Sequence, residues 1–246
     1  MKLAFSAPTR DTDQARELID GFRGAGYEGL QLKTAQYRDY LDDPQRLLGD
    51  WPQLSGAVSG LIIGCALDDS GCEQLRRIFR FGGAVGADLV IFCHSAAREG
   101  LGAAELRGFA QQLDALGREA REHGTKLSLH QHYNQPCMHR EDLDIFFDGE
   151  PAYGLTVDTA HLVKSGVVDV AEVIRTFREF IDNFHMKDYA DGEFRVLGEG
   201  AVDFGPVFTA VREIGYGGWV AADEESGGDL AGGMRACATF LRRGLG

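Results

Sequence analysis

The sequence predicts an α/β fold, a (β/α)8 TIM barrel forming one domain over residues 1–246, and three observations predict it. Short apolar runs rich in strand formers recur eight times, and amphipathic helical segments alternate with them. The length is close to the ~250 residues of one such barrel. No Pro/Gly/Ser-rich linker or charge block divides the chain.

The strand candidates, in order, are Lys2–Ser6, Gly29–Leu32, Val58–Ile63, Asp88–Cys93, Lys126–His130, Gly154–Asp158, Ile181–Met186 and Gly218–Ala222. Between them, Asp13–Arg23, Cys72–Phe81, Ala104–Glu122 and Val207–Ile214 place apolar residues at helical spacing. Several helices hand over to the next strand through glycine, at Gly24 and Gly26, Gly86, Gly124, Gly215 and Gly217, as residues that accept positive φ do. A strand spacing of about 30 residues is that of a βαβ unit, and eight such units close a parallel sheet into a barrel. An open doubly wound sheet is the alternative. Against it, the first βα turn, Ser6-Ala7-Pro8-Thr9-Arg10, lacks the Gly-rich phosphate loop of a dinucleotide fold. The least regular stretch, Lys33 to Gly56, is expected to hold a helix around Tyr37 to Leu48 and a loop over the mouth.

With 44% hydrophobic and 26% charged residues the chain can bury a sizeable core. Its net charge of -13 opposes partners that present phosphates in bulk, so neither nucleic acid nor an anionic membrane is an expected partner. The opening MKLAFSAPTRD has too short an apolar run for a secretion signal, and no stretch reaches the ~18 apolar residues of a membrane span. A cytoplasmic enzyme is expected. Self-association into a homo-oligomer is compatible with the fold. The five cysteines form no CxxC pair, and their odd number fits free thiols better than a disulfide framework.

Active-site residues of an α/β barrel sit where strands end and βα loops begin. Here four consecutive strands finish in His or carboxylate residues. Strand five ends at His130-Gln131-His132, strand six at Asp158-Thr159-Ala160-His161, strand seven at His185-Met186-Lys187-Asp188, and strand eight at Asp223-Glu224-Glu225. Imidazole nitrogen and carboxylate oxygen are the donors that bind divalent metals. A carboxylate after an apolar run, as at Asp158, is costly to bury without a cation or another partner. Each residue also has a structural reading: Asp158 as a cap of the following helix, Asp188 paired with Lys187 or solvent, and residues 223–225 as a solvated acidic turn. Taken together and in register with the strand ends, they favour a metal site.

The chain also resembles the xylose isomerase-like barrel superfamily, in particular its sugar isomerase/epimerase and inosose dehydratase branch. The resemblance rests on Val157-Asp158-Thr159-Ala160-His161, Phe184-His185-Met186-Lys187-Asp188, Leu197-Gly198-Glu199-Gly200-Ala201-Val202-Asp203-Phe204 and Gly215-Tyr216-Gly217-Gly218-Trp219. It implies a divalent ion (Mn, Mg, Co or Zn) with Asp158 and His185 as ligands, His161 contacting substrate, and Arg195 as a further substrate contact. At the family's two glutamate positions stand His130, in a His-x-His form with His132, and Asp223, with Glu224 next to it. They complete a ligand set of His130, Asp158, His185 and Asp223 but remove the paired carboxylates of the epimerase mechanism.

The expected function is therefore a metal-dependent sugar or polyol isomerase/epimerase of carbohydrate metabolism, moving a proton next to a carbonyl. The candidate catalytic residues are His130, His161, Lys187 and Glu224, and His132, His161 and Arg195 are candidates for binding substrate. An inosose-type dehydratase on the same site, or a catalytically altered barrel that only binds a sugar, stays open. A DNA-repair endonuclease on this fold fits poorly, because 25 basic residues stand against 38 acidic ones. Substrate identity is expected to lie in the loops Lys33 to Gly56 and His94 to Gly102. Tyr37, Tyr40, Trp51 and Phe194 are candidates for an apolar wall.

Overall fold

The computed structural model describes residues Met1–Gly246. Eight parallel strands form a closed barrel: β1 (Lys2–Ser6), β2 (Gly29–Lys33), β3 (Val58–Cys65), β4 (Leu89–His94), β5 (Lys126–His130), β6 (Gly154–Asp158), β7 (Ile181–Met186) and, after a small antiparallel hairpin of β8 (Asp188–Ala190) and β9 (Glu193–Arg195), β10 (Trp219–Asp223). β10 lies between β7 and β1 and closes the ring. The strand positions follow the sequence reading to within one or two residues. The main core fills the shell between strands and helices, with Phe5, Phe22, Phe79, Phe92 and Phe184 fully buried. Each such side chain contributes about 2–3 kcal/mol by leaving water.

Aspartate starts most of the helices. Asp11, Asp43, Asp68, Asp158, Asp169, Asp203 and Asp229 each accept a hydrogen bond from a backbone N–H in the first turn of the helix that follows. A cap of this kind stabilises by about 1 kcal/mol. Part of the chain's acidity is thus structural. No helix is long and apolar enough to cross a membrane.

The region from Lys33 to Gly56 differs from expectation. In place of one helix over Tyr37–Leu48 there are short pieces: Thr34–Tyr37, a 3-10 turn at Arg38–Tyr40, Pro44–Asp50, and another 3-10 turn at Pro52–Leu54. The break comes at Asp43-Pro44: Pro44 opens the new helix, and the residue before a proline is disfavoured in α geometry. Nor do the aromatics here line the mouth. Tyr37 is fully buried against Phe81, and the Trp51 indole N–H donates to Tyr40 Oη at 3.2 Å.

The barrel interior is divided. Ala4, Leu89, Ile91, Trp219 and Ala221 form a small apolar cluster on one side. On the other a column of polar side chains runs from mouth to floor: His185, Gln31, Asn183, Thr156, Ser128 and Asp182, each hydrogen-bonded to the next at 2.6 to 3.3 Å. The pairing of β6 with β7 passes from Leu155↔Ile181 to Thr156↔Asn183, leaving Asp182 as an extra residue. Such a bulge shifts the inward and outward alternation, so Asp182 and Asn183 both join the column. Gly154 leaves room for it, since a Cβ there would collide with the Asp182 carboxylate.

Candidate functional site

Strand pairing sets the positions at the mouth. Asp158 lies beside His185 across β6 and β7, and His130 beside Thr156 across β5 and β6. The three end residues converge: His130 Nε2 is 2.9 Å from His185 Nδ1 and 3.5 Å from Asp158 Oδ2, and His185 Nδ1 is 3.9 Å from Asp158 Oδ2. One donor atom from each lies within 4.8 Å of the others, and all three residues are buried.

Asp158 serves both readings of its sequence position, one per oxygen. Oδ1 accepts the His161 backbone N–H and caps the helix Thr159–Lys164. Oδ2 is buried without a hydrogen-bond partner and faces the two imidazoles. Burial opposes ionisation of this carboxyl, but His161, His130 and Lys187 outweigh it and hold it well below the usual carboxylate range.

The tautomer of His185 is fixed by its neighbour. Its Nε2 meets Gln31 Oε1 at 2.7 Å, while the Gln31 amide nitrogen donates to Asn183 Oδ1 at 2.8 Å. Gln31 offers only an acceptor to the ring, so Nε2 carries the hydrogen and the Nδ1 lone pair points at His130 and Asp158. Burial lowers His185 to about 3. Burial also disfavours a proton on His130, but the Cys93 sulfur and Asp158 prevail and raise it to about 10. His130 Nε2 and His185 Nδ1 thus face each other at 2.9 Å where a divalent cation would sit. Two imidazole nitrogens and one unpaired carboxylate oxygen fit such a cation.

Asp223 stands apart from this set. Its Oδ2 comes within 3.7 Å of His185 Nδ1, but each of its oxygens is held by a lysine: Lys33 Nζ at 2.9 Å on Oδ1 and Lys187 Nζ at 2.8 Å on Oδ2. Glu225 bridges the same two lysines, at 2.6 and 2.5 Å. Burial opposes the Lys187 charge, yet Asp223 and the other carboxylates raise its proton affinity well above the ordinary lysine range. Asp223 therefore anchors ammonium groups where the sequence pattern suggested a metal ligand.

Glu224 faces the other way. Its carboxylate accepts the Ser226 N–H at 2.7 Å and packs against Gly233 of the helix Leu230–Leu245. Glu224 is the first residue after β10, and the alternation of the strand that turns Asp223 inward turns it outward. Arg195 lies on the rim, paired with Glu193 at 3.1 Å.

The imidazoles of His132 and His161 stack with centroids 3.7 Å apart, and Phe194 meets His161 edge-on. Burial lowers His132 to about 4 and His161 to about 2, so both rings are neutral near pH 7. His161 Nδ1 is buried and unpartnered. Phe194 also covers the Lys187 ammonium, 4.3 Å from its ring centroid. It is placed there by the β8–β9 hairpin, which Asp188 anchors by accepting the backbone N–H groups of Tyr189, Gly198, Gly200 and Val202 at 2.8 to 3.1 Å. Asp188 pairs with neither Lys187 nor solvent. Of the proposed aromatic wall, only Phe194 touches the site residues. Lys33 and Gln31 did not emerge from the sequence, and Glu225 did so only as part of the acidic run that ends strand eight.

A family model described as xylose isomerase-like TIM barrel matches residues 23–243. The chain belongs to the xylose isomerase-like TIM barrel family. Among curated proteins, an inosose dehydratase of Lacticaseibacillus casei is 28% identical over 142 residues, covering 49% of this chain and 47% of that protein. The chain spans about half the length of the curated relatives it matches. Solved structures agree in fold over nearly the whole chain. A structure of L-ribulose 3-epimerase superposes with a TM-score of 0.80 at 19% identity, covering 99% of this chain and 94% of that one. The IOLI protein with a bound zinc atom gives 0.79 at 17%, covering 100% and 98%. At these identities the likeness is one of fold.

Proposed function

We propose that this barrel is a metal-dependent enzyme that moves a proton next to a carbonyl on a small sugar or polyol, as an isomerase or epimerase does. The observation that carries the reading is the convergence of His130 Nε2, His185 Nδ1 and the unpartnered Asp158 Oδ2 at the barrel mouth. These three residues would hold a divalent ion of the Mn, Mg, Co or Zn type. When bound, such an ion polarises a carbonyl and the adjacent hydroxyl and stabilises the charge that develops between them.

The chain's own groups divide the remaining work. Gln31 orients His185. His161 and His132, neutral and stacked, present ring nitrogens that accept substrate hydroxyls or protons. Lys187 stays charged and donates hydrogen bonds to a substrate oxygen, and Phe194 shields it from water. Arg195 meets substrate from the rim. Asp223 and Glu225 hold the lysines, and Glu224 has no part in the chemistry. A cytoplasmic location and a single domain over 1–246 belong to the same proposal, with a small molecule rather than nucleic acid or membrane as partner.

A second reading, dehydration, is favoured by two observations. His130 replaces one of two carboxylates that would work on opposite faces, and the sequence relatives are inosose dehydratases. Removing one proton and one hydroxyl does not need that pair. The test is elemental analysis of purified wild type, Asp158→Ala and His185→Ala, followed by solvent-deuterium incorporation into ketoses and inososes. We expect about one equivalent of metal in the wild type, at least a tenfold lower content in the variants, and deuterium in substrate with wild type alone. Unchanged metal content in both variants overturns the site. Loss of water from the substrate, seen by mass, selects dehydration over epimerisation.

A further inference from the structure

The charged ring beside the three donors has a feature that the proposed reaction does not use. Lys33 ends β2 and Lys187 follows β7, yet both ammonium groups touch the same two carboxylates, one oxygen of each. The two carboxylates are held differently. Asp223 ends β10, and its side chain is 3% exposed. Glu225 lies in the irregular segment between β10 and the helix Leu230–Leu245, two residues before Gly227 at φ 77°, and its side chain is 27% exposed. With Asp223 fixed, the two lysines keep one positive charge in excess, and a loop residue supplies its balance. The planar pair of oxygens that Glu225 lays across two ammonium groups is what any carboxylate would offer there.

We propose that the mouth takes a carboxylated substrate, a sugar acid or its keto form, whose carboxylate replaces Glu225 across Lys33 and Lys187. This rests on the reading of the mouth as a sugar or polyol site and names the class of substrate within it. The spacing suits one small molecule. A single oxygen, Asp223 Oδ2, separates Lys187 Nζ at 2.8 Å from His185 Nδ1 at 3.7 Å. An acid held by the lysines therefore has its adjoining carbons within a few bonds of the three donors. The displaced Glu225 also has somewhere to go. It lines an open cavity of about 520 Å3 outside the ring, which it shares with Arg195, itself paired with Glu193, and with Glu199. Exchanging one carboxylate for another leaves the charge count of the buried ring unchanged, which avoids the penalty of an uncompensated buried ammonium.

The experiment is calorimetric titration of the wild-type protein with D-gluconate and with D-glucitol, which share a six-carbon chain and differ by the carboxylate. Gluconate is expected to bind about tenfold tighter than glucitol. In Glu225→Gln, where the competitor has lost its charge, gluconate should tighten about a further tenfold with glucitol unchanged. Adding Lys33→Gln to that variant should abolish the preference. Equal affinities in the wild type overturn the proposal without any variant, and so does weaker gluconate binding in Glu225→Gln. Tighter binding of glucitol 6-phosphate than of gluconate overturns the assignment to a carboxylate. Metal content measured on the same samples separates this proposal from the proposed function: a gluconate preference without metal uptake sinks the latter alone, and metal uptake without the preference sinks the former alone.

Discussion

The mouth and the floor of the barrel handle buried polarity in opposite ways. At the floor, polar groups are closed off. Asp182 accepts the Ser128 hydroxyl at 2.6 Å, and Asp88 accepts the Trp219 indole N–H at 2.7 Å, with Lys2 over the same indole. At the mouth they are left open. Of eight buried side-chain atoms without a hydrogen-bond partner, seven lie at strand ends or in loops of the mouth: on Ser6, His94, His130, Gln131, Gln135, Asp158 and His161. Only Thr125 lies at the floor. An unmade buried hydrogen bond costs about 1–3 kcal/mol. Unpartnered donors and acceptors gathered at one end suit the end at which a polar ligand would arrive. The contrast distinguishes the mouth from the floor without appeal to any relative.

Three perturbations test how far this contrast goes. The largest effect is expected from Asp188→Ala, which takes one acceptor from four backbone N–H groups and releases the hairpin that carries Phe194. We expect a loss of about 3 kcal/mol in chemical denaturation, since charge-assisted bonds to backbone are among the stronger ones. A loss below about 0.5 kcal/mol would mean that the hairpin holds without its anchor.

Next, Gln31→Leu removes the acceptor that fixes the His185 tautomer. Metal affinity should fall about 10- to 100-fold, as for other residues that orient ligands, while Gln31→Glu, which still accepts from Nε2–H, should keep most of it. Competition with a chelating dye reads both. Equal losses in the two variants would assign Gln31 a packing role only.

The smallest effect belongs to the floor. Burial raises Asp182 to about 7 from an ordinary 3.8. The protonated form is thus favoured in the fold, and its contribution is full below pH 3.8 and lost as pH rises through about 7. Asp182→Asn should gain about 1 kcal/mol on wild type between pH 5 and 8, seen as a growing difference between the two denaturation midpoints. A difference that stays constant over that range would show that Asp182 ionises freely in the fold.

Much of this was legible in the sequence, and the rest was not, for physical reasons. Strand positions come from short apolar runs between turn signals, and those signals are local. His130, Asp158 and His185 stand out because each ends such a run with a group that is costly to bury. What Asp223 touches could not be read, because Lys33 lies 190 residues away along the chain and meets it only when the barrel closes. The outward turn of Glu224 was readable from two-residue alternation. The broken helix after β2 was readable too, at Pro44. The polar column depends on a bulge at Asp182, which no local pattern announces.

That column has a sense of direction. The His185 ring donates to Gln31, Gln31 to Asn183 and Asn183 to Thr156, and Ser128 donates to Asp182, which leaves the Thr156 hydroxyl to donate to Ser128. These hydrogens point away from the mouth, apart from a longer contact of the Asn183 amide back to Gln31 Oε1 at 3.4 Å, and the row ends on the Asp182 carboxyl, which accepts from Ser128. Rows ordered this way polarise from link to link. A floor residue thereby helps to decide which nitrogen of a mouth imidazole is bare. Reversing any one amide or hydroxyl would set two donors or two acceptors face to face, so the ordering is inherited or lost as a unit. Transplanting the three donors into a barrel with an apolar interior would move the ligands and leave behind what aims them.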